Sequence, residues 1–271
     1  QVSRPAWNPG AVVLSVKDLH NEHIHGVSFV LRAGEILGIA GLVGSGRTEL
    51  ARALCGIDPI RSGEIAVRGR PVTLKSPAQA RAAGLALVPE DRKRQGLVMT
   101  NSLAYNLALP WTQDWITGIW VDRRRRRSIV DRAVRSFAIK AEDPQGPIEA
   151  LSGGNQQKAV VGRWMEHPPS VLVLDEPTRG VDVGARAEML GIFRRLVEQG
   201  IAILLISSDL PEVIGLSHRL LLYRDGRILR EVPSSATSPL EVMTELMRRY
   251  DPGQEVGQAL GLPDKTPGRI R

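Results

Sequence analysis

An α/β fold built around a buried sheet is what this sequence predicts, and three observations carry the prediction. Short apolar runs at Glu35 to Ala40, Val171 to Leu174 and Ala202 to Ile206 are strand-sized, as strands covered on both faces read. A segment with helical periodicity, Val183 to Gln199, lies between two of them and stops at Gly200, where a C-terminal glycine cap belongs. The stretch Glu35 to Cys55, EILGIAGLVGSGRTELARALC, runs from strand through glycine-rich loop into an amphipathic helix whose apolar positions are Leu50, Ala51 and Leu54.

In chain order, Val12 to Lys17 and Val27 to Leu31 alternate with period two, and Glu64 to Val67 and Val72 to Leu74 flank a turn at Gly69. These predict an antiparallel β-layer bracketing the strand, loop and helix unit. Ala78 to Ala83 reads as a short helix, followed by Gly84 and a strand Leu85 to Val88 that Pro89 stops at Glu90. PEDRKRQG then reads as a charged loop. From about 99 to 165 the pattern is helical, with Trp111, Trp115 and Trp120 near a connection, and this is expected to be a helical insertion. Leu220 to Tyr223 and Ile228 to Val232 predict a hairpin around Asp225-Gly226. Ser238-Pro239-Leu240-Glu241 is a capping box with proline in the first turn, opening a last helix to about Tyr250. Residues 1–11 read as a linker, 12–250 as one domain, and 251–271, rich in Pro and Gly, as a disordered tail. No internal repeat is visible.

With 271 residues, 42% of them hydrophobic, the chain can bury a core, and no uncharged apolar run approaches the roughly eighteen residues needed to span a bilayer. The only cysteine, Cys55, cannot form an internal disulfide, reads as a small core residue and fits a reducing setting. A first residue other than Met and the polar, proline-bearing start QVSRPAWNPG suggest a piece of a longer chain. The net charge of +7 and the run Arg123 to Arg127 raise nucleic acid as a partner. Against that, no aromatic residue interleaves the arginines, and Ile129, Val130, Ala133, Val134 and Phe137 after them give a helix with one apolar face. The arginines are expected on its solvated or partner-facing side, although positive charge in a first turn opposes the helix dipole.

The chemistry concentrates in three places. Gly41, Leu42, Val43, Gly44, Ser45, Gly46, Arg47 and Thr48, followed by Glu49, match the phosphate-loop spacing G-x4-G-K-[ST] at every fixed position except the lysine, which here is Arg47. Charge is kept but geometry changes, because arginine presents a longer planar fork. Asp175 ends an apolar strand, where a carboxylate can share Mg²⁺ with the Thr48 hydroxyl, and Glu176 beside it can polarise a water. Leu151 to Lys158, LSGGNQQK, is a second glycine-rich turn ahead of a helix, suited to a phosphate.

LSGGNQQK resembles the signature motif of ABC-type ATPases. Together with DEPTRGVDVGAR, GLVGSGRTEL, PEDRKRQGL and LLISSDLPEV, it is similar to the second of the two fused nucleotide-binding domains in monosaccharide importers of the ribose/galactose type. The likeness runs from about Val12 to Tyr250. It implies a P-loop NTPase with a RecA-like core of ABC type, an antiparallel β-subdomain and a helical subdomain. It makes Gly41, Gly44, Gly46, Arg47 and Thr48 the Walker A loop, with Leu42, Val43, Ser45 and Glu49 beside them at the nucleotide, Asp175 the Walker B aspartate, Glu176 the general base and Gly180-Val181-Asp182 the D-loop. Glu90 sits where the family has a glutamine beside Mg²⁺, and Ser208 where it has a histidine that reaches the γ-phosphate. No aromatic lies between Val12 and Gly26 to stack on adenine; His20, His23 and His25 are expected on surface loops.

The resemblance further implies ATP and Mg²⁺, the metal held by Thr48 and Asp175 with Glu90. Ser152, Gly153, Gly154 and Asn155 would be lent to a partner nucleotide-binding domain fused upstream, while the chain's own phosphate loop works poorly and the isolated domain hydrolyses weakly. Membrane-spanning permease subunits, a periplasmic or extracellular sugar-binding protein and a place on the cytoplasmic face of the membrane follow, with no nucleic acid. The rival readings are a soluble ABC-type ATPase acting on nucleic acid or ribosomes, and a non-catalytic nucleotide sensor.

Overall fold

The computed structural model describes residues 8–248, so the first part of the expected linker and the whole expected tail lie outside the described residues. The chain opens with strands β1 (Val12–His20), β2 (His25–Arg32) and β3 (Ile36–Gly41), then helix α1 (Arg47–Leu54), strands β4 (Ser62–Val67) and β5 (Arg70–Val72), helix α2 (Pro77–Ala83) and strand β6 (Leu85–Val88). The insertion follows with α3 (Leu103–Ala108), a two-residue ribbon β7 (Ile116–Thr117) and β8 (Trp120–Val121), α4 (Arg123–Ser136) and α5 (Gly153–Gly162). The core resumes as β9 (Val171–Asp175), α6 (Val183–Glu198), β10 (Ala202–Ile206), α7 (Leu210–Leu216), β11 (Arg219–Arg224), β12 (Arg227–Pro233) and α8 (Pro239–Met247).

The central sheet has the order β12-β11-β3-β10-β9-β6, parallel throughout except for the β11–β12 hairpin at one edge. Asp225 and Gly226 at that turn both have positive φ, 47° and 75°, which a two-residue hairpin loop with the strands' own twist requires. A second, antiparallel sheet has the order β2-β1-β4-β5. Side chains of the central strands alternate between two cores. Ile36, Leu172, Leu174, Ile203 and Leu205 point into one that the insertion and α6 to α8 complete, while Leu37, Ile39, Val171, Val173 and Leu204 point into the other, against α1 and the antiparallel layer. This double coverage is why these strands are continuous apolar runs, each fully buried Leu or Ile contributing about 1.5–3 kcal/mol.

Several expectations are corrected. PEDRKRQG is not plain loop: Arg92–Gly96 forms a π-helical turn capped by Asp91, whose carboxylate accepts from the backbone N–H of Lys93 and Arg94. α7 was not foreseen, although Asp209 capping the Glu212 N–H at 2.9 Å and proline in the first turn are start signals. The strand placed at Val72 to Leu74 is shifted back to Arg70–Val72, and the last helix ends at Met247, short of Tyr250. The capping box at Ser238 and Glu241 forms as read. The arginine run is not wholly a solvated face: Arg125 pairs with Glu166 at 2.8 Å and Arg126 lies over the Trp115 ring, 5.4 Å from its centroid. His25 and His20 sit on strands rather than loops, His20 beside Asp18. Cys55 is buried.

Candidate active site

The phosphate loop leaves the carboxyl end of β3 and turns straight into α1. A Cβ on Gly41 would stand 2.4 Å from the Tyr223 carbonyl oxygen and 2.7 Å from Ser45 Oγ, so only glycine lets the strand close onto the loop. Gly46, the N-terminal cap of α1, has φ 96°, and its neighbours are the His23 carbonyl and Gly226. The loop is moored to the β11–β12 turn by Gly226 N–H donating to the Ser45 carbonyl at 3.0 Å. Gly44, at φ 81°, faces open space and Val43 is 91% exposed, so this part of the loop lies open to solvent. Ser45 Oγ is buried without a hydrogen bond.

Arg47 is buried. Its Nη1 donates to the Ser207 carbonyl at 3.0 Å, and its Nη2 stands 3.8 Å from Glu176 Oε1. Burial lowers its pKa, against the pull of Glu176 and Asp175. Glu176 has φ 47°, a left-handed conformation costing a non-glycine residue about 1–2 kcal/mol. Its N–H donates to the Ile206 carbonyl at 2.9 Å, and its Oε2 accepts from Ser208 Oγ at 3.1 Å. The structure therefore joins three of the sequence candidates, Arg47, Glu176 and Ser208, into one contact group across the ends of β9 and β10. Asp175 lies alongside, hydrogen-bonded to Thr48. Burial pushes its carboxyl up to about 6, opposed first by the Thr48 bond, and its Oδ1 is buried with no partner.

Glu90 already has a partner of its own. Its carboxylate is ion-paired with Arg179, in the loop after β9, so the charge expected beside a metal is held by a cation of the same chain. A neutral amide is nevertheless at hand. A cavity of about 360 Å³ is lined by Thr48, Asp175, Pro89, Gln95, Arg163 and Trp164 among others, which puts Gln95 of the π-helical turn on the wall that carries Thr48 and Asp175. Sequence reasoning missed Gln95 because it sits five residues beyond the position where the motif has its glutamine.

The second cluster is the turn into α5. Ser152 is exposed and caps that helix, its Oγ accepting from Asn155 N–H at 3.4 Å and from Asn155 Nδ2 at 3.1 Å, while Asn155 Oδ1 accepts from Lys140 N–H at 2.9 Å. Gly154 is packed so closely that a Cβ there would lie 2.4 Å from Ala185 Cβ of α6. A Cβ on Gly153 would meet Arg92 Nη2 at 2.8 Å and the Gly180 carbonyl at 3.1 Å. Arg92 is the bracket: it donates to the Arg179 carbonyl at 2.9 Å, the Gly180 carbonyl at 3.1 Å and Gln156 Oε1 at 3.4 Å. It too was missed, hidden in a run of charges with nothing local to single it out. Among the described residues, no hydrogen bond or ion pair joins Ser152–Asn155 to the phosphate loop.

A hard dication and a nucleotide phosphate both suit the first cluster. A buried carboxylate oxygen without a partner next to a threonine hydroxyl is the oxygen donor set Mg²⁺ takes. The glycine cradle, the orphaned Ser45 hydroxyl and the N-terminus of α1 suit an anion.

The family model described as "ABC transporter" matches residues 24–179. The chain is 42% identical over 238 residues to a ribose import ATP-binding protein RbsA of Bacillus licheniformis, covering 88% of this chain and 48% of that protein. It is 47% identical over 245 residues to ribose import ATP-binding protein RbsA 1 of Rubrobacter xylanophilus, with 90% and 49% covered. It is 48% identical over 219 residues to a putative ribose/galactose/methyl galactoside import ATP-binding protein of Agrobacterium fabrum, with 80% and 44% covered. The chain thus spans about half the length of the curated relatives it matches. Among solved structures, an ATP-binding cassette of an ABC transporter in its ADP conformation superposes with TM-score 0.71 at 20% identity, covering 87% of this chain and 95% of that one. A nucleotide-free cassette superposes with TM-score 0.70 at 22% identity, covering 82% and 92%.

Proposed function

The chain belongs to the ABC transporter family of ATPases, and from that premise we propose that it is the second of two fused nucleotide-binding domains powering monosaccharide import. On this reading the domain covers about 12–250, with the helical subdomain at 99–165 reaching permease subunits at the cytoplasmic face of the membrane, and a sugar-binding protein delivering cargo outside. The Ser152–Asn155 turn serves the partner domain's nucleotide. The chain's own loop binds ATP with Mg²⁺ and turns it over slowly.

What supports the asymmetry is one observation: Arg47, the cation of the phosphate loop, is already bonded to the Ser207 carbonyl and faces Glu176. A guanidinium so engaged screens the carboxylate that would polarise water. Ser208, in turn, donates its hydroxyl to Glu176, a short side chain where the family has an imidazole. When bound, Mg²⁺ would neutralise phosphate charge, held by Thr48 and Asp175. The residues of the chain itself would cradle the phosphates through Gly41 to Thr48 and orient water through Glu176. By contrast Ser152 is exposed and its turn is braced by Arg92 against the Gly180 loop, the rigid presentation that a preorganised phosphate-binding turn needs.

The test compares two substitutions in the assembled, reconstituted transporter. Gly154 is unsuitable, because its contact with Ala185 makes any side chain a folding defect as well. Ser152→Asp keeps an N-capping side chain and places a negative charge where the partner's γ-phosphate would dock. It should abolish most ATP turnover and sugar uptake, whereas Glu176→Gln should leave a substantial fraction. The opposite ranking would mean that this chain's own loop is the working site.

A further inference from the structure

The insertion carries a feature that the nucleotide chemistry does not use. Between α3 and α4 the ribbon β7–β8 projects an apolar tip: Ile119 is 90% exposed, Trp120 77% and Val121 50%, and a Cβ on Gly118 at the turn would meet open space. The tip is not a loose loop. Its base is fixed by Asp122 N–H donating to the Trp115 carbonyl at 2.8 Å, by Trp115 packed on the core with its indole N–H on the Ala108 carbonyl at 3.2 Å, and by Arg126 stacked over Trp115. Immediately after the tip, α4 begins with Arg123 and Arg124, both exposed, and Arg127, whose guanidinium has only a 3.8 Å contact to Asp131. Arg125 and Arg132 are taken up by Glu166 and Arg126 by Trp115, which separates structural arginines from available ones.

Two properties of this surface select its partner. Positive charge at a helix N-terminus opposes the dipole and gains nothing for folding. An exposed tryptophan and isoleucine beside it cost solvation, and tryptophan suits a boundary where one end is apolar and the other wet. We propose that the β7–β8 tip and the first turn of α4 form a peripheral docking surface for anionic lipid: Ile119 and Trp120 enter the headgroup boundary while Arg123, Arg124 and Arg127 take lipid phosphates. Neither signal alone anchors a protein, whereas an apolar insertion joined to a basic patch does so reversibly. The surface does not involve the phosphate loop, so its failure would leave the ATPase reading where it stands.

The experiment is co-sedimentation of the full chain with vesicles of phosphatidylglycerol and phosphatidylcholine, against phosphatidylcholine alone. Binding is expected to the anionic vesicles only, to fall with salt, and to shift tryptophan emission to shorter wavelength; Trp120→Phe should lose that shift. Arg123→Glu with Arg124→Glu should weaken partitioning by roughly twenty-fivefold or more, at about fivefold for each basic residue lost. Ile119→Ser with Trp120→Ser should weaken it as well, all variants keeping the parent's melting temperature because the positions are exposed. No binding to anionic vesicles, equal binding to both kinds, or binding untouched by either pair would overturn the proposal. So would tight capture of an RNA oligonucleotide through the same two arginines without vesicle binding.

Discussion

The contact between Gly154 and Ala185 gives the sharpest quantitative test of how the signature turn is held. A Cβ at 154 would stand 2.4 Å from Ala185 Cβ, and ordinary carbon contacts begin a full ångström further out. α5 and α6 would have to part by about that distance, an overpacking cost of roughly 1–3 kcal/mol. Gly154→Ala should therefore destabilise the chain by that amount, less whatever the alanine gains in helix propensity. Ala185→Gly alone should cost about 0.5–1 kcal/mol through backbone entropy in the first turn of α6. Combined, the swap restores one methyl between the helices, so the double variant should be less destabilised than Gly154→Ala alone. The coupling from a double-mutant cycle should be about 1–3 kcal/mol. Urea unfolding with an unchanged slope reads all four corners. If the two changes simply add, the helices do not touch there, and the close approach that positions Ser152 beside the Gly180 loop is not what holds the turn.

Two further perturbations follow from the same geometry. Arg92→Ala removes charge-assisted bonds to the Arg179 and Gly180 carbonyls and to Gln156, so chemical unfolding should report a loss of about 1.5–3 kcal/mol; Arg92→Lys, lacking the fork, should not restore it. Asp175→Asn should stabilise the metal-free chain, because the folded carboxyl sits at about 6 against an ordinary 3.8. Between these values the folded state holds the extra proton. Asp175 therefore favours folding below about pH 4, loses that contribution as pH rises through about 6, and costs up to about 3 kcal/mol at neutrality. Melting curves in chelator should show the parent falling between about pH 4 and 7 and the asparagine variant falling by less over that window, since Glu212 is also buried with a raised pKa, with added Mg²⁺ raising the parent only. Parallel curves would mean that Asp175 is not a buried acid with a raised pKa.

The core and the order of its elements were legible because one physical cause wrote them twice. A strand covered on both faces must be apolar along its length, so Val171–Asp175 and Ala202–Ile206 stand out without any partner being known. The Asp225-Gly226 turn and the Ser238 to Glu241 box are equally local. What stayed hidden is what depends on side chains meeting across the fold. Nothing near Arg92 in the sequence reveals the carbonyls at 179 and 180, and nothing near Glu90 reveals Arg179. The π-helical turn at Arg92–Gly96 has no hydrophobic period because it packs only through Gly96 and its neighbours. α7 is a lesser case, since its capping aspartate and first-turn proline were readable but were eclipsed by the strand before them.

The three departures at the phosphate loop, taken singly, look like independent losses, but the structure gives each altered side chain a partner inside the chain. Arg47, longer than the lysine of the motif, reaches past the loop to the Ser207 carbonyl. Ser208 turns its hydroxyl onto Glu176, and Glu90 closes on Arg179. A site whose polar groups already satisfy one another differs from one that waits for its ligand, because each internal bond must be exchanged before the ligand's own is gained. Trading one charge-assisted bond for another is close to neutral, whereas filling an empty site would return about 1.5–3 kcal/mol per contact. Among the described residues of the loop and its neighbouring strand ends, Asp175 Oδ1 and Ser45 Oγ are buried and unmet. On the proposed reading they are where an incoming metal and phosphate gain most, in binding rather than in activating water. On the proposed reading, the chain combines a cradle for a nucleotide with a water-polarising group already engaged, the balance expected of a slow site beside a turn offered to a faster one.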